Sequence, residues 1–93
     1  KNPYFRFYTA SEAFVSGDYP AAIGHLKYAI RKRDDEPRFY SLLSLSYLMS
    51  GDQAAARRWM EKAEAVAGQS ADPAADRQKY HHKLEWLMSQ GSR

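Results

Sequence analysis

The sequence contains no cysteine, no long apolar run and no strong excess of charge of one sign. The absence of cysteine excludes a disulfide framework, thiol chemistry and cysteine-ligated zinc. No apolar run approaches the roughly 18 residues that a membrane-spanning helix needs, so no membrane insertion is expected. The 14 Lys and Arg against 11 Asp and Glu give a net charge of only +3. This mild balance does not favour a nucleic-acid partner, which usually requires a clustered basic face.

Glycine and proline are also scarce, and the remaining composition indicates one small globular domain. The 93 residues include five glycines and four prolines, with 44% hydrophobic and 14% aromatic residues. A chain of this length can bury one modest core but not two. Because aromatic residues are frequent and charged residues make up 27% of the chain, global disorder is not expected.

The chain contains an internal repeat of 34 residues. Aligning the sequence with itself at this offset gives eight identities over one repeat length, where composition alone predicts roughly two. The identical pairs are Pro3 with Pro37, Phe5 with Phe39, Ser16-Gly17-Asp18 with Ser50-Gly51-Asp52, Ala21-Ala22 with Ala55-Ala56, and Ala29 with Ala63. We therefore divide the single domain, residues 1–93, into repeat 1 (3–34), repeat 2 (37–68) and a final segment (72–90).

Each repeat is predicted to be a pair of helices joined by a tight turn. Proline is favourable at a first helical position, and Pro3, Pro37 and Pro73 occupy such positions. Gly17 and Gly51 are expected to end the first helix of each pair, because glycine adopts the left-handed conformation at little cost. The aspartate after each glycine is expected to cap the second helix. With no alternating strand pattern in the chain, these signals predict an all-α fold.

The final segment, residues 72–90, is predicted to form a fifth helix that caps the stack. Its apolar stripe is expected to comprise Tyr80, Leu84, Leu87 and Met88, with charged residues largely elsewhere. An amphipathic last helix is the usual way in which a helical array covers its exposed end. Trp86 lies off this stripe, so it is expected either to pack at an edge or to form an exposed aromatic anchor.

A 34-residue helix–turn–helix repeat of this kind resembles the tetratricopeptide repeat (TPR) family. The matching positions are the small residues Ala10 and Ser44, the two Gly-Asp turns, and the second-helix pairs Ala22/Ala56, Leu26/Met60 and Ala29/Ala63. The resemblance implies a right-handed superhelix of antiparallel helix pairs with five helices in all. It further implies a non-enzymatic protein–protein interaction module, acting as a scaffold, adaptor, assembly factor or chaperone-like protein. Repeat 1 departs from the family at Arg6, Thr9 and Ala13, where bulky apolar residues are usual, so either a loose end of the array or an altered packing angle is expected there.

In that family, partners lie in a concave groove lined by the first helix of each pair. Carried over position by position, the groove of this chain would be lined by Tyr4, Phe7, Tyr8, Ser11, Val15, Arg38, Ser41, Leu42, Leu45 and Met49. This surface is aromatic and aliphatic with a single cation, so we expect it to bind an apolar peptide or helix. The clamp by which some members grip carboxylates is not expected, because its positions carry Phe7, Ser11 and Leu42.

Two other interpretations of the apolar stripes remain open. Such stripes at helical spacing are more often core than binding site, and the groove could be filled internally. Alternatively, the chain is a structural segment of a longer TPR array, and its apolar faces pack against neighbouring repeats or a second copy. The chain opens on Lys1 rather than Met, as expected of a processed protein or of a piece of a longer one.

Catalytic and metal chemistry receive little support from the sequence. We find no nucleophile–base arrangement, phosphate-binding glycine loop or paired catalytic carboxylates, so no enzyme activity and no cofactor are predicted. His81 and Glu85 are four residues apart and could face one another, but two ligands make at best a weak metal site, and none is predicted. We interpret His81 and His82 as a solvated or groove-rim pair that could make partner binding sensitive to pH at about 6–7.

Overall fold

The computed structural model describes residues 2–91, and these residues form five α-helices and no β-strand. The helices are α1 (Pro3–Val15), α2 (Tyr19–Lys32), α3 (Pro37–Met49), α4 (Gln53–Ala67) and α5 (Pro73–Gly91). This confirms the predicted all-α fold, and α5 begins and ends one residue later than expected. The first and second helix pairs begin at Pro3 and Pro37, so the 34-residue offset of the sequence recurs in the helices.

The turns inside the two pairs are closed by the residues that the sequence indicated. Asp18 accepts a hydrogen bond from a first-turn amide of α2 at 3.3 Å, and Asp52 accepts the equivalent bond in α4 at 3.0 Å. Gly17 and Gly51 have φ angles of 83° and 90°. The amide after each glycine bonds a carbonyl five residues earlier, at 2.8 and 2.9 Å, which completes a Schellman-type helix end. The short turns therefore reverse the chain and fold each second helix back onto the first.

Consecutive helices pack against one another, and α1 also touches α3. The central helix is α3, which contacts α1, α2 and α4 and buries six of its 13 residues. The small, fully buried residues Ser44 and Ala56 allow α3 and α4 to approach closely. At this contact the Ser44 hydroxyl donates to the Ala56 carbonyl. Two apolar clusters result, one among α1, α2 and α3 and the other among α3, α4 and α5.

The apolar stripe of α5 is narrower than the sequence predicted. Tyr80, Leu84 and Leu87 are buried in the second cluster, whereas the inclusion of Met88 was wrong, because 44% of its surface is exposed. Successive residues of a helix are rotated by about 100°, so Met88 turns away when Leu87 faces α4. One face of α5 therefore packs against α4, and Trp86 and Met88, which lie off that face, are exposed.

Arg6 explains how repeat 1 packs without its usual bulky residues. The Arg6 guanidinium lies 4.0 Å from the centre of the Tyr28 ring, and its Nη1 is 3.2 Å from Nδ1 of His25. A cation–π contact with α2 thus replaces an apolar side chain at the interface of α1 and α2.

Across residues 2–91, none of the helices combines the length and the apolar character that crossing a bilayer requires.

Candidate interaction groove

A groove lies between α1, α3 and α5, and it brings together six of the ten site residues that the sequence predicted. These six are Phe7, Ser11, Arg38, Ser41, Leu42 and Leu45. The remaining lining comes from α5, as Lys79, Tyr80 and Lys83. Phe7 and Ser11, Leu42 and Leu45, and Lys79 and Lys83 are each three or four positions apart, so each pair lies on one helical face. We call this space of about 210 Å³ the α1–α3–α5 groove.

A second cavity adjoins the groove and is larger and mostly apolar. It has a volume of about 360 Å³ and is lined by Leu45, Met60, His82, Lys83 and Trp86. Leu45 and Lys83 line both spaces, so the two form one continuous surface. We call the second space the Trp86 cleft. Trp86 is 51% exposed, so of the two placements expected for this residue the structure shows an exposed aromatic side chain.

Aromatic packing between α1 and α3 holds one wall of the groove in place. The Phe7 ring centre lies 5.4 Å from that of Phe39, and the Tyr4 ring meets Phe39 edge-on at 5.2 Å. Phe39 itself is fully buried. Because Phe7 rests on a buried ring, its position is fixed before any ligand arrives, which lowers the entropic cost of binding.

One end of the groove carries a hydrogen-bonded group built around Glu36. The Tyr4 hydroxyl donates to Glu36 Oε1 at 2.6 Å, and Arg38 donates from Nη2 to Oε1 and from Nε to Oε2, both at 3.1 Å. Burial alone would raise the pKa of Glu36, but the hydrogen bonds from Arg38 and Tyr4 outweigh it and hold this pKa at about 2. The same pairing raises the pKa of the Arg38 guanidinium. Arg38 therefore stays protonated, and its positive charge is balanced by the carboxylate of Glu36.

Four predicted site residues lie outside the groove lining. Tyr4 packs beside it, on Phe39 and Glu36. Tyr8, Val15 and Met49 line neither cavity and are 61%, 86% and 55% exposed. Tyr8 follows Phe7 directly and is turned by about 100° from it. Val15 and Met49 are the last residues of α1 and α3, at the ends of those helices.

The lining residues outside the ten predicted positions come from α4 and α5, namely Met60, Lys79, Tyr80, His82, Lys83 and Trp86. The sequence had indicated a partner-facing role only for His82, as part of a groove-rim pair, and for Trp86, as an aromatic anchor. Lys79, Tyr80 and Lys83 were not expected at a site, because α5 was predicted to be a capping helix with Tyr80 on its buried stripe. Trp86 was the available signal, because a large aromatic residue off the buried stripe must lie at an edge or in solvent.

The histidines of α5 take part in surface contacts. His81 Nδ1 lies 3.2 Å from a Glu64 carboxylate oxygen, and its Nε2 lies 3.8 Å from Glu85. His82 Nε2 is 3.2 Å from the amide of Gln78. Within residues 2–91 no group of three His, Asp or Glu side chains is arranged to hold a metal ion. His81 thus links α5 to α4, and His82 borders the Trp86 cleft.

Comparison of the chain with protein-family models, curated proteins and solved structures finds no match in any of the three.

Proposed function

We propose that this protein is a non-enzymatic interaction module of the tetratricopeptide-repeat type, which binds an apolar peptide or helix of a partner protein. The ligand would occupy the α1–α3–α5 groove together with the Trp86 cleft. One observation carries this proposal: the two spaces share Leu45 and Lys83 and form a continuous, mostly apolar depression that the side chains of the described residues, 2–91, do not fill. Unfilled apolar surface bordered by polar side chains is typical of a partner site.

The resemblance to the family is supported by the positions at which the helices approach one another. The small residues that it requires are fully buried at Ala10, Ala22, Ala29, Ala56 and Ala63. Both helix pairs also use the same glycine conformation and the same aspartate cap. These residues set the spacing of the helices on which the groove depends.

The energetics of the depression suit an apolar ligand. Each aliphatic or aromatic side chain that a partner buries there contributes roughly 1.5–3 kcal/mol. Leu42 and Leu45 are only partly buried, and they can lose further exposed surface when a partner binds. A half-exposed Trp86 beside the cleft is the kind of residue that often dominates the binding free energy of an interface.

Panning a displayed library of random peptides against the protein tests this proposal. Selected peptides are expected to bind with saturation, and Trp86→Ala should weaken their affinity by about tenfold or more, because the cleft loses its aromatic wall. Met88→Ala is the matched control, since Met88 is also a half-exposed apolar residue of α5 but lines neither cavity. Failure to select any peptide, or equal affinities for both variants, would contradict the proposal.

A second candidate function is self-association or packing within a longer array. It is favoured by the exposed apolar side chains on α1, where Tyr8 is 61% and Val15 is 86% exposed. Sedimentation analysis separates the two candidates. Concentration-dependent dimers that Val15→Asp abolishes, with no peptide bound in the groove, would favour self-association.

A further inference from the structure

The groove and the Trp86 cleft are lined by side chains of one charge sign. Three cations line the joined groove and cleft, namely Arg38, Lys79 and Lys83, and no Asp or Glu among residues 2–91 lines either space. Of these three cations, only Arg38 was among the site residues predicted from the sequence. The surface is thus apolar along its floor and positive along its edge.

The available positive charge belongs to Lys79 and Lys83. Arg38 is bonded through two nitrogens to Glu36, so its charge is compensated inside the protein. Neither lysine has an ion-pair partner in the described part of the chain. Their separation of four residues places them one turn apart on the same face of α5. Two uncompensated cations beside an apolar floor attract anionic groups more strongly than they would in open solvent.

We infer that the partner segment is amphipathic and acidic, with apolar side chains that fill the groove and the Trp86 cleft and with Asp or Glu side chains that pair with Lys79 and Lys83. This inference rests on the proposed function and narrows its ligand class. The carboxylates supply orientation and specificity, because the pairing of opposite charges fixes the register of a ligand more than it adds to affinity. Leu45 and Lys83, which line both spaces, place the apolar and the acidic parts of the ligand next to each other.

The composition of peptides selected from a displayed random library tests the inference. Peptides selected by the wild-type protein are expected to combine apolar residues with an excess of Asp and Glu. The double variant Lys79→Glu/Lys83→Glu should reverse this preference and select peptides rich in Lys and Arg. It should also bind the acidic wild-type ligands about tenfold more weakly, because attraction is replaced by repulsion.

The control is a double variant with the same change in net charge at another site. Arg58 and Lys62 are also four residues apart, are exposed on α4 and line neither cavity. Arg58→Glu/Lys62→Glu is expected to leave both the affinity and the composition of the selected peptides unchanged. This control separates local pairing at α5 from an effect of total charge.

The dependence of peptide affinity on salt concentration is a second test of the inference, and it does not require charge reversal. Raising the ionic strength should weaken binding of an acidic peptide to the wild-type protein, because exposed ion pairs are screened. The variant Lys79→Gln/Lys83→Gln, which keeps side chains of similar length without charge, should lose most of this salt dependence. Melting curves of each variant, followed by circular dichroism, establish that it is folded.

The possible outcomes distinguish the inference from the function on which it rests. Apolar peptides selected without acidic bias, or an unchanged preference in Lys79→Glu/Lys83→Glu, would overturn the inference and leave the peptide-binding function intact. If no peptide is selected, both fail. An acidic preference that the Arg58→Glu/Lys62→Glu control also abolishes would likewise overturn it, because the specificity would then come from net charge.

Discussion

At the scale of single residues, Glu36 joins sequence positions that are far apart. It caps α3 by accepting from the Arg38 amide, and the same carboxylate receives the Tyr4 hydroxyl from α1. The Glu36 side chain is only 13% exposed, and its hydrogen bond from Tyr4 is partly buried, whereas its bond from the Arg38 amide is exposed. One side chain therefore fixes both the start of α3 and the position of α1 beside it.

The low pKa of Glu36 predicts how stability depends on pH. The pKa is about 2 in the folded protein against an ordinary value of 4.5. A depressed pKa means that the carboxylate stabilises the fold fully above the unfolded value, and that this contribution is lost as the pH falls from about 5 towards 2. We expect Glu36→Gln to lower the free energy of unfolding at pH 7 by about 1–3 kcal/mol. The substitution should also make the free energy of unfolding less dependent on pH between about 5 and 2.

Urea denaturation at a series of pH values measures both effects. Asp35→Asn removes the same charge from the neighbouring residue, whose ion pair with Arg33 is about half exposed. The stability of this control should change by less than about 0.5 kcal/mol. If Glu36→Gln and the wild-type protein lose stability in parallel between pH 5 and 2, Glu36 does not have the proposed role.

At the scale of helices and turns, the backbone conformation of two glycines decides where α1 and α3 end. Gly51 has a φ of 90°, and a Cβ added to it would meet no atom within 4 Å. The cost of replacing it with alanine is therefore conformational and not steric. A left-handed conformation costs a non-glycine residue about 1–2 kcal/mol.

Gly51→Ala and Gly24→Ala are expected to change stability in opposite directions. Gly51→Ala should destabilise the protein by about 1–2 kcal/mol. Gly24 lies inside α2, where an added Cβ also meets open space, so Gly24→Ala should stabilise it by about 0.5–1 kcal/mol. Thermal melts followed by circular dichroism test this pair, and two shifts of the same sign would contradict the explanation.

The helix boundaries were predictable from the sequence because their causes are local. Gly17 and Gly51 act within a few residues of the helices that they end, and the aspartates that follow them bond amides only three residues ahead. The contact between Tyr4 and Glu36 spans 32 residues and depends on how α1 is rotated against α3. That rotation is set by packing, which no local pattern encodes.

The same limit applies to the groove. The positions carried over from the TPR resemblance include Phe7 and Leu42, which line the groove between α1 and α3, but they also include Val15 and Met49, which lie exposed at the helix ends. The contribution of Lys83 was not predictable from the repeat, because α5 lies outside it and its rotation depends on which residues α4 buries.

At the scale of the whole molecule, the described residues form a flat body with principal extents of 36 × 30 × 17 Å. A thickness of 17 Å corresponds to about two layers of helices packed 8–10 Å apart. A body so thin leaves much helix surface uncovered, and the groove between α1, α3 and α5 is part of that surface. The proposed binding role therefore depends on the shape of the fold as well as on particular residues.

The most direct test is a titration of the isotope-labelled protein with a selected acidic peptide, followed by nuclear magnetic resonance of the backbone amides. We expect saturable shifts concentrated at groove and cleft residues such as Phe7, Leu42, Leu45, Lys83 and Trp86. Shifts confined to the outer residues of α2, or no shifts at peptide concentrations that saturate other assays, would contradict this expectation.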